Sequence, residues 1–263
     1  MLHLVKRVYK YIVPHDARVC LLEYLIFSHP LRMFNTLLFQ ARDAFSKKHA
    51  PLTCTKKITI LIPTLSKGKQ LDHLPALKNL LKNYLSRQTY ANYEALVYCD
   101  GRNEMVEQMV AALGDDRIKV YSTERTLAKW GHPQTRMGIA LATGDFFVRL
   151  NDDNKPNRRY LETLVSGFND DVGFVYGRVI YNGEARKVHD GCLKWSFVIP
   201  GDRSGVLKTG NIDCMNYMVK TTLAKKYIEQ WDDSFAADWV FISALIKDGV
   251  RSRFINSIIG EKI

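Results

Sequence analysis

The sequence predicts an α/β protein built on a largely parallel sheet with helices on its faces. From Lys57 onward, short apolar runs alternate with amphipathic stretches of helical period, which is the pattern of strands joined by crossover helices. Three of those runs end abruptly in polar clusters. With 46% apolar residues over 263 positions, the chain can bury one substantial core, and a disordered, collagen-like or disulfide-stapled miniature is excluded.

The elements follow in order. Lys57–Pro63 reads as a buried strand ended by its proline, and Leu74–Leu85 as an amphipathic helix. Glu94–Cys99 is a second strand, followed by the turn Asp100-Gly101 and a helix over Asn103–Leu113. Arg117–Tyr121 is a shorter third strand, and Pro133–Ala142 a helix that stops at Gly144. Asp145–Leu150 is a fourth strand running straight into Asn151-Asp152-Asp153-Asn154. Beyond it come a helix (Arg159–Phe168), a strand (Gly173–Tyr181), an irregular region to about Gly210, and helices over Thr221–Gln230 and Ala236–Lys247.

Residues 1–55 differ in character from 56–263 and read as a helical, basic extension of two or three short helices broken near Pro14 and Pro30. Over residues 1–50, eight basic residues face three acidic ones, nearly half of the chain's net charge of +11. Such a segment rests on an anionic membrane face, caps the main domain, or makes an oligomer contact. No apolar run reaches the roughly 18 to 20 residues of a membrane span, because Glu23, His29-Pro30 and Arg32 interrupt Val19–Phe39. The first residues also lack a signal peptide's apolar core and cleavage site, so the expected location is cytoplasmic, peripheral on a membrane face. Five widely spaced cysteines without a CxxC pair suggest neither a zinc knuckle nor a disulfide framework.

Ligands of open α/β sheets bind beyond the carboxyl ends of the strands, and polar residues gather at three such ends here. They are Pro63-Thr64, Asp100-Gly101 and Asn151-Asp152-Asp153. The adjacent carboxylates Asp152 and Asp153 suit Mg²⁺ or Mn²⁺ shared with a diphosphate; an Asn-Asp-Asp-Asn turn also caps helices. Asp100 can accept a hydrogen bond from a pyrimidine N–H, or simply form the Asp-Gly turn. Arg125, Lys129, Trp130, His132 and Arg136 surround a loop before a helix, where phosphate oxygens bind, although a solvated basic loop has the same composition. Asp238, beside Trp239, is placed to act as a desolvated general base or as an N-cap. Asp213 and His189 are lesser candidates, for shaping an acceptor pocket and for a metal or phosphate contact.

Taken in order, these pieces resemble the family 2 glycosyltransferases of the GT-A, Rossmann-like fold. Ile58–Thr64 is similar to the family's opening strand, and Leu85–Glu94 to its "LxxQTYxNxE" approach to strand two. Cys99-Asp100-Gly101 stands where the family has Asp-Asp-Gly-Ser, and Gly131–Ile139 with Ala142–Asp145 resembles the helix leading into the metal strand. Asn151–Asn154 occupies the DxD position, Asn211-Ile212-Asp213 the acceptor-side segment, and Ala237-Asp238-Trp239 the acidic base motif. The match covers roughly residues 57–255. Asn151 replaces the first acid of a strict DxD, and Ala237 the first acid of Glu-Asp.

The resemblance implies inverting transfer from a nucleoside-diphosphate sugar, UDP above all, to a glycan or lipid-linked acceptor, in polysaccharide, lipopolysaccharide or other surface-glycan synthesis. It makes Asp238 the base, and Asp153, shared with Asp152, the site of Mn²⁺ or Mg²⁺. Pro63, Thr64, Asp100, Asp152 and Arg125 would hold the donor nucleotide, and Asp213 and Trp239 the acceptor side. A metal-dependent nucleotidyltransferase shares the acidic pair but has no use for a distal base, and no Walker-type GxxxxGK[ST] is present. A basic nucleic-acid-binding protein is the non-enzyme alternative, but its motifs are absent, and nucleic acid is not expected as a partner.

Overall fold

Strand β1 (Ile58–Leu65) is buried from end to end of its apolar run, with Ile58, Ile60 and Ile62 facing one apolar cluster and Leu61 the other. A strand covered on both faces needs apolar residues at every position, which is why this segment reads as continuous and not alternating. The computed structural model describes residues 55–65, 73–183, 195–200 and 204–262. The basic segment over residues 1–50 and His189 lie outside the described residues. The chain divides into two units, residues 1–48 with 182–197, and residues 49–181 with 198–263. Apart from residues 182–183 and 195–197, at the ends of two strands, everything described below concerns the second.

After β1 come α1 (His73–Asn79), continuing as a π-helical turn over Leu80–Leu85, then β2 (Tyr93–Asp100), α2 (Glu104–Ala111) and β3 (Ile118–Ser122). Helix α2 starts where Asn103 accepts the backbone N–H groups of Met105 and Val106. Next are α3 (His132–Leu141), β4 (Phe146–Arg149), β5 (Lys155–Pro156), α4 (Tyr160–Val165), β6 (Phe174–Gly183) and β7 (Trp195–Ile199). The chain ends with β8 (Tyr217–Lys220), α5 (Thr221–Lys226), α6 (Ala237–Lys247) and β9 (Ser252–Lys262).

The strands lie in the order β3-β2-β1-β4-β8-β6-β9-β5. The first four are parallel, as the sequence predicts. The other half is mixed: β8 runs antiparallel to β4 and β6, β9 is parallel to β6, and β5 is antiparallel to β9. Strands β5, β7, β8 and β9 are not among the predicted elements. One apolar cluster packs α1, α2 and α4 on one face of the sheet, and the other packs α3, α5 and α6 on the opposite face.

Register sets the site. Thr64 pairs with Cys99, Leu65 with Asp100, and Leu61 with Arg149, so Thr64, Asp100 and the residues after Arg149 reach one edge of the sheet. Pro63 does not end β1, contrary to the sequence expectation. Pairing with β4 stops at Leu61, so the N–H that proline lacks falls beyond the last ladder bond on that side.

Gly144 turns the chain into β4 against the backbone of β1. A Cβ there would lie 2.7 Å from Thr59 N and 2.8 Å from Lys57 O. Backbone yields less easily than a side chain, so Gly144→Ala is expected to destabilise the protein by about 1–3 kcal/mol, measured by urea unfolding. Unchanged stability would contradict this packing.

Candidate active site

The turn after β4 is closed by Asn154: its Oδ1 accepts the Asn151 N–H at 2.8 Å, and its own N–H reaches the Asn151 carbonyl at 3.1 Å. Asn154 therefore closes the turn. Asp152 is buried, and its Oδ2 accepts the Thr64 hydroxyl at 3.0 Å and lies 3.5 Å from His73 Nδ1. Burial raises its pKa against the opposing pull of His73 and Thr64. Asp153 is half-buried; burial and the neighbouring Asp152 raise its pKa, while Lys262 opposes them.

Asp213 stands at the start of a 3₁₀ turn (Cys214–Asn216) in which the Asn216 side chain accepts the Asp213 N–H at 2.9 Å. Its carboxylate accepts the Lys262 ammonium and, at 3.1 Å, the Cys214 thiol. Burial would raise the Asp213 pKa, but Lys262, Cys214 and Arg149 together outweigh it and the net shift is downward. At the start of β8, the Tyr217 hydroxyl donates to Asp238 Oδ1 at 3.1 Å. Asp238 is the second residue of α6, whose N-cap is Ala236, so it is free of the capping role that the sequence left open. Burial, then the charge of Asp213, push the Asp238 carboxyl up to about 6 against the opposing Arg149, Lys262 and Tyr217. One ligand atom from each of Asp213, Cys214 and Asp238 lies within 4.8 Å of the others.

Arg149 ends β4 as a buried cation. Its Nη2 donates to the Trp130 carbonyl at 3.0 Å, its guanidinium carbon lies 5.6 Å from the Trp231 ring centre, and its Nε has no protein partner. Its charge acts on Cys214, Asp238 and Asp213.

Asp100 is buried at the end of β2, where Oδ1 accepts the Leu127 N–H at 2.7 Å and Gln134 Nε2 at 2.6 Å, and Oδ2 accepts the Ala128 N–H at 2.8 Å. The loop it holds continues through four residues of positive φ: Ala128 at 59°, Lys129 at 60°, Trp130 at 51° and Gly131 at 77°. Three non-glycine residues in succession there store strain, which Asp100 on one side and Arg149 on the other hold in place. Gly131 lies against Pro63, whose Cβ would be 2.7 Å from an added methyl.

Arg125 and Lys129 are exposed on this loop. Arg136, expected at a diphosphate from the sequence, commits its Nη1 instead to the Trp231 carbonyl at 2.7 Å and to Asp233 at 2.9 Å. His132 is buried with Nδ1 accepting the Trp231 indole N–H at 3.0 Å, and burial, reinforced by Arg149, lowers its pKa to about 4. Trp239 packs half-buried against the second apolar cluster.

The fold thus pairs Thr64 with Asp152, surrounds Asp213 with Lys262, Cys214, Arg149 and Asp238, and binds Asp100 to the loop over residues 127–134. His73, Gln134, Arg149, Tyr217 and Lys262 belong to this arrangement without having been singled out from the sequence. Arg149 carried a signal: it is a charged residue closing the apolar run Phe146-Phe147-Val148. Lys262 carried none.

The carboxylate oxygens of Asp152 and Asp153 fit a hard divalent cation. The charge of Asp152 disfavours ionisation of Asp153, a repulsion a cation between them would relieve, and Lys262, which opposes it, is already bonded to Asp213.

Residues 59–218 match the model of the glycosyl transferase family 2. No curated protein matches the chain. Among solved structures, mannosyltransferase PcManGT from Pyrobaculum calidifontis, in complex with GDP-Man and Mn²⁺, has a TM-score of 0.58 at 17% identity, over 92% of this chain and 68% of that one. S. aureus TarS 1-349 has a TM-score of 0.56 at 14% identity, over 78% of this chain and 60% of that one. Its complex with UDP-GlcNAc has a TM-score of 0.57 at 16% identity, over 78% of this chain and 58% of that one. The chain therefore spans less than two thirds of the length of TarS 1-349, and at these identities the likeness is one of fold.

Proposed function

The chain belongs to glycosyl transferase family 2, and we propose that it transfers a sugar with inversion from a nucleoside-diphosphate sugar, UDP being the favoured nucleotide, to an acceptor hydroxyl in surface-glycan synthesis. The observation that carries this reading is Asp238: a half-buried carboxylate beside Asp213, hydrogen-bonded by Tyr217, its pKa pushed up to about 6 by desolvation and the Asp213 charge. A base in that range is ionised at neutral pH and still basic enough to take a proton.

Asp238 accepts the acceptor's hydroxyl proton as that oxygen attacks the anomeric carbon. The new glycosidic bond forms as the bond to the diphosphate breaks, and the nucleoside diphosphate leaves from the opposite face with both bonding electrons. Asp100 contacts the nucleobase: its three donors leave roughly one of about four carboxylate lone-pair sites free. Thr64 and Asp152, joined to each other, face the ribose, Pro63 supports the loop beside them, and exposed Arg125 meets the pyrophosphate. Asp153, with Asp152, would hold Mn²⁺ or Mg²⁺, which when bound neutralises charge on the departing diphosphate. Asp213 and Trp239 shape the acceptor side. The basic excess over residues 1–50 supports a peripheral contact with an anionic membrane surface. Among the described residues no helix is long and apolar enough to cross a membrane.

Product analysis tests the reading, since free nucleoside diphosphate indicates glycosyl transfer, whereas pyrophosphate would indicate nucleotidyl transfer and overturn it. The pH profile of kcat/KM is expected to fall below about pH 6 with unit slope, as Asp238 takes up its proton. Chelation by EDTA is expected to abolish transfer and Mn²⁺ to restore it, with Asp153→Asn requiring at least tenfold more Mn²⁺ for half-maximal rate. Full activity in EDTA would remove the metal from this scheme.

A further inference from the structure

Two large aromatic side chains lie exposed together, one of them in the turn that leads into the helix of the proposed base. Trp130 is 64% exposed and Phe235 86%, with ring centres 6.3 Å apart and planes at 79°. The other exposed large apolar residues described are aliphatic: Met105, Met137, Leu141, Val206 and Ile246.

Both rings sit on tethered backbone. Trp130 is the third of the positive-φ residues, and its carbonyl is bonded to Arg149, the buried cation facing Asp238 and Asp213. Phe235 lies three residues before Asp238, in a turn where Asp232 accepts the Ser234 N–H at 3.0 Å and the Ser234 hydroxyl at 2.7 Å. The ion pair of Arg136 with Asp233 fastens that turn to α3. Aromatic contacts also run inward, from Trp130 to His132 and from His132 to Trp231, each over 6.3 Å. Strain held at an exposed tryptophan, and an exposed phenylalanine fixed against it, have no evident use in packing.

A pyranose ring suits this surface. Its C–H face carries partial positive charge toward the negative face of an aromatic ring, and its hydroxyl edge points outward to hydrogen-bonding groups. Exposed Lys129, adjacent to Trp130, and Asp232, three residues before Phe235, supply such groups on the same two segments. An acyl chain would meet this polar rim at a cost.

We propose that Trp130 and Phe235 form an aromatic platform for a sugar unit of the acceptor, one ring stacking on the sugar's C–H face and the other, nearly perpendicular to it, bounding the sugar's edge, so that the acceptor is a saccharide chain. This rests on the transferase reading above, with Asp238 as base. The platform orients the ring whose hydroxyl, or whose neighbour's hydroxyl, reaches Asp238.

Trp130 fluorescence tests the proposal, isolated by difference against the full-length Trp130→Phe variant. The probes are chitotetraose, cellotetraose, maltotetraose and mannotetraose, titrated to millimolar concentration with and without UDP. At least one is expected to shift or quench Trp130 emission, and Phe235→Ala to weaken that saccharide about tenfold, whereas Phe235→Tyr retains it. No response to any of the four, or equal affinity in Phe235→Ala, overturns the platform. A thermal-shift titration with UDP and with GDP separates the two readings. A UDP shift without a saccharide response overturns the platform alone. A saccharide response without a shift by UDP or GDP supports the platform and overturns the donor reading.

Discussion

Asp238→Asn is expected to lower sugar transfer by about 10²–10⁴-fold, the usual contribution of a positioned general base, while making the protein more stable at pH 7.5. The amide keeps the shape of the carboxyl group and an oxygen for the Tyr217 hydroxyl, but it cannot take a proton from the acceptor. The gain in stability follows from the raised pKa. Between the ordinary value of 3.8 and about 6, the folded state holds a proton that the unfolded chain has lost. Stability therefore falls as pH rises through that window, and the cost of the buried charge is fully present above it. Removing the charge recovers on the order of 1–3 kcal/mol at pH 7.5, and the gain shrinks toward zero near pH 4. Arg149 loses one opposing charge in the variant but retains Asp213. Urea unfolding of both proteins across pH 5–8, with transfer measured at pH 7.5, checks both halves. Full activity would remove Asp238 from the mechanism, and a stability loss at pH 7.5 would reverse the assigned balance of burial and charge.

What the sequence disclosed about this site depended on how each residue reaches it. Strands β1, β2 and β4 were legible because burial on both faces demands uninterrupted apolar runs, and the polar residues that stop those runs are the ones carried to the sheet edge. Much of the segment Leu85–Glu94 turns out to be structural: Gln88 donates to the Asn157 carbonyl at 2.7 Å, and Tyr90 to the Lys56 carbonyl at 2.5 Å. Glu94 accepts Lys57, Thr59 and Thr143, bonds that overcome burial and hold its pKa near 2. Such a motif identifies the fold more directly than the chemistry. Strand β9 escaped notice because its exposure does not alternate and its pairing with β6 shifts register around Arg178. The strained loop was equally hidden. Only Gly131 hints at positive φ, whereas Ala128, Lys129 and Trp130 adopt it through hydrogen bonds to Asp100 and Arg149, residues distant in sequence.

Lys262, the residue on β9 that no motif announces, is expected to have the largest effect on stability among the charged groups of the site. Its ammonium bonds Asp213 and lies 5.3 Å from the centre of the Tyr181 ring, and its own pKa is raised despite burial because Asp213 holds the proton there. Lys262→Met keeps most of the side chain's volume but leaves the largely desolvated Asp213 carboxylate, 14% exposed, opposed mainly by the charge of Arg149. Breaking a buried pair from one side typically costs about 3–5 kcal/mol, because the remaining charge stays desolvated. Lys262 also lowers the pKa of Asp238, so the acid limb of kcat/KM in this variant is expected to move above pH 6. The double variant Lys262→Met/Asp213→Asn removes both charges and should recover a large part of the lost stability, giving a coupling of about 1–3 kcal/mol in a double-mutant cycle. It should also return the acid limb toward lower pH, because Asp213 is the charge that raises Asp238. Unfolding of the four proteins in urea, together with their pH profiles, decides the matter. If Lys262→Met matches the parent in stability, or the two substitutions simply add, the ion pair does not hold this part of the fold; a recovered double variant with a lowered acid limb would establish that Asp213 and Lys262 together set the basicity of Asp238.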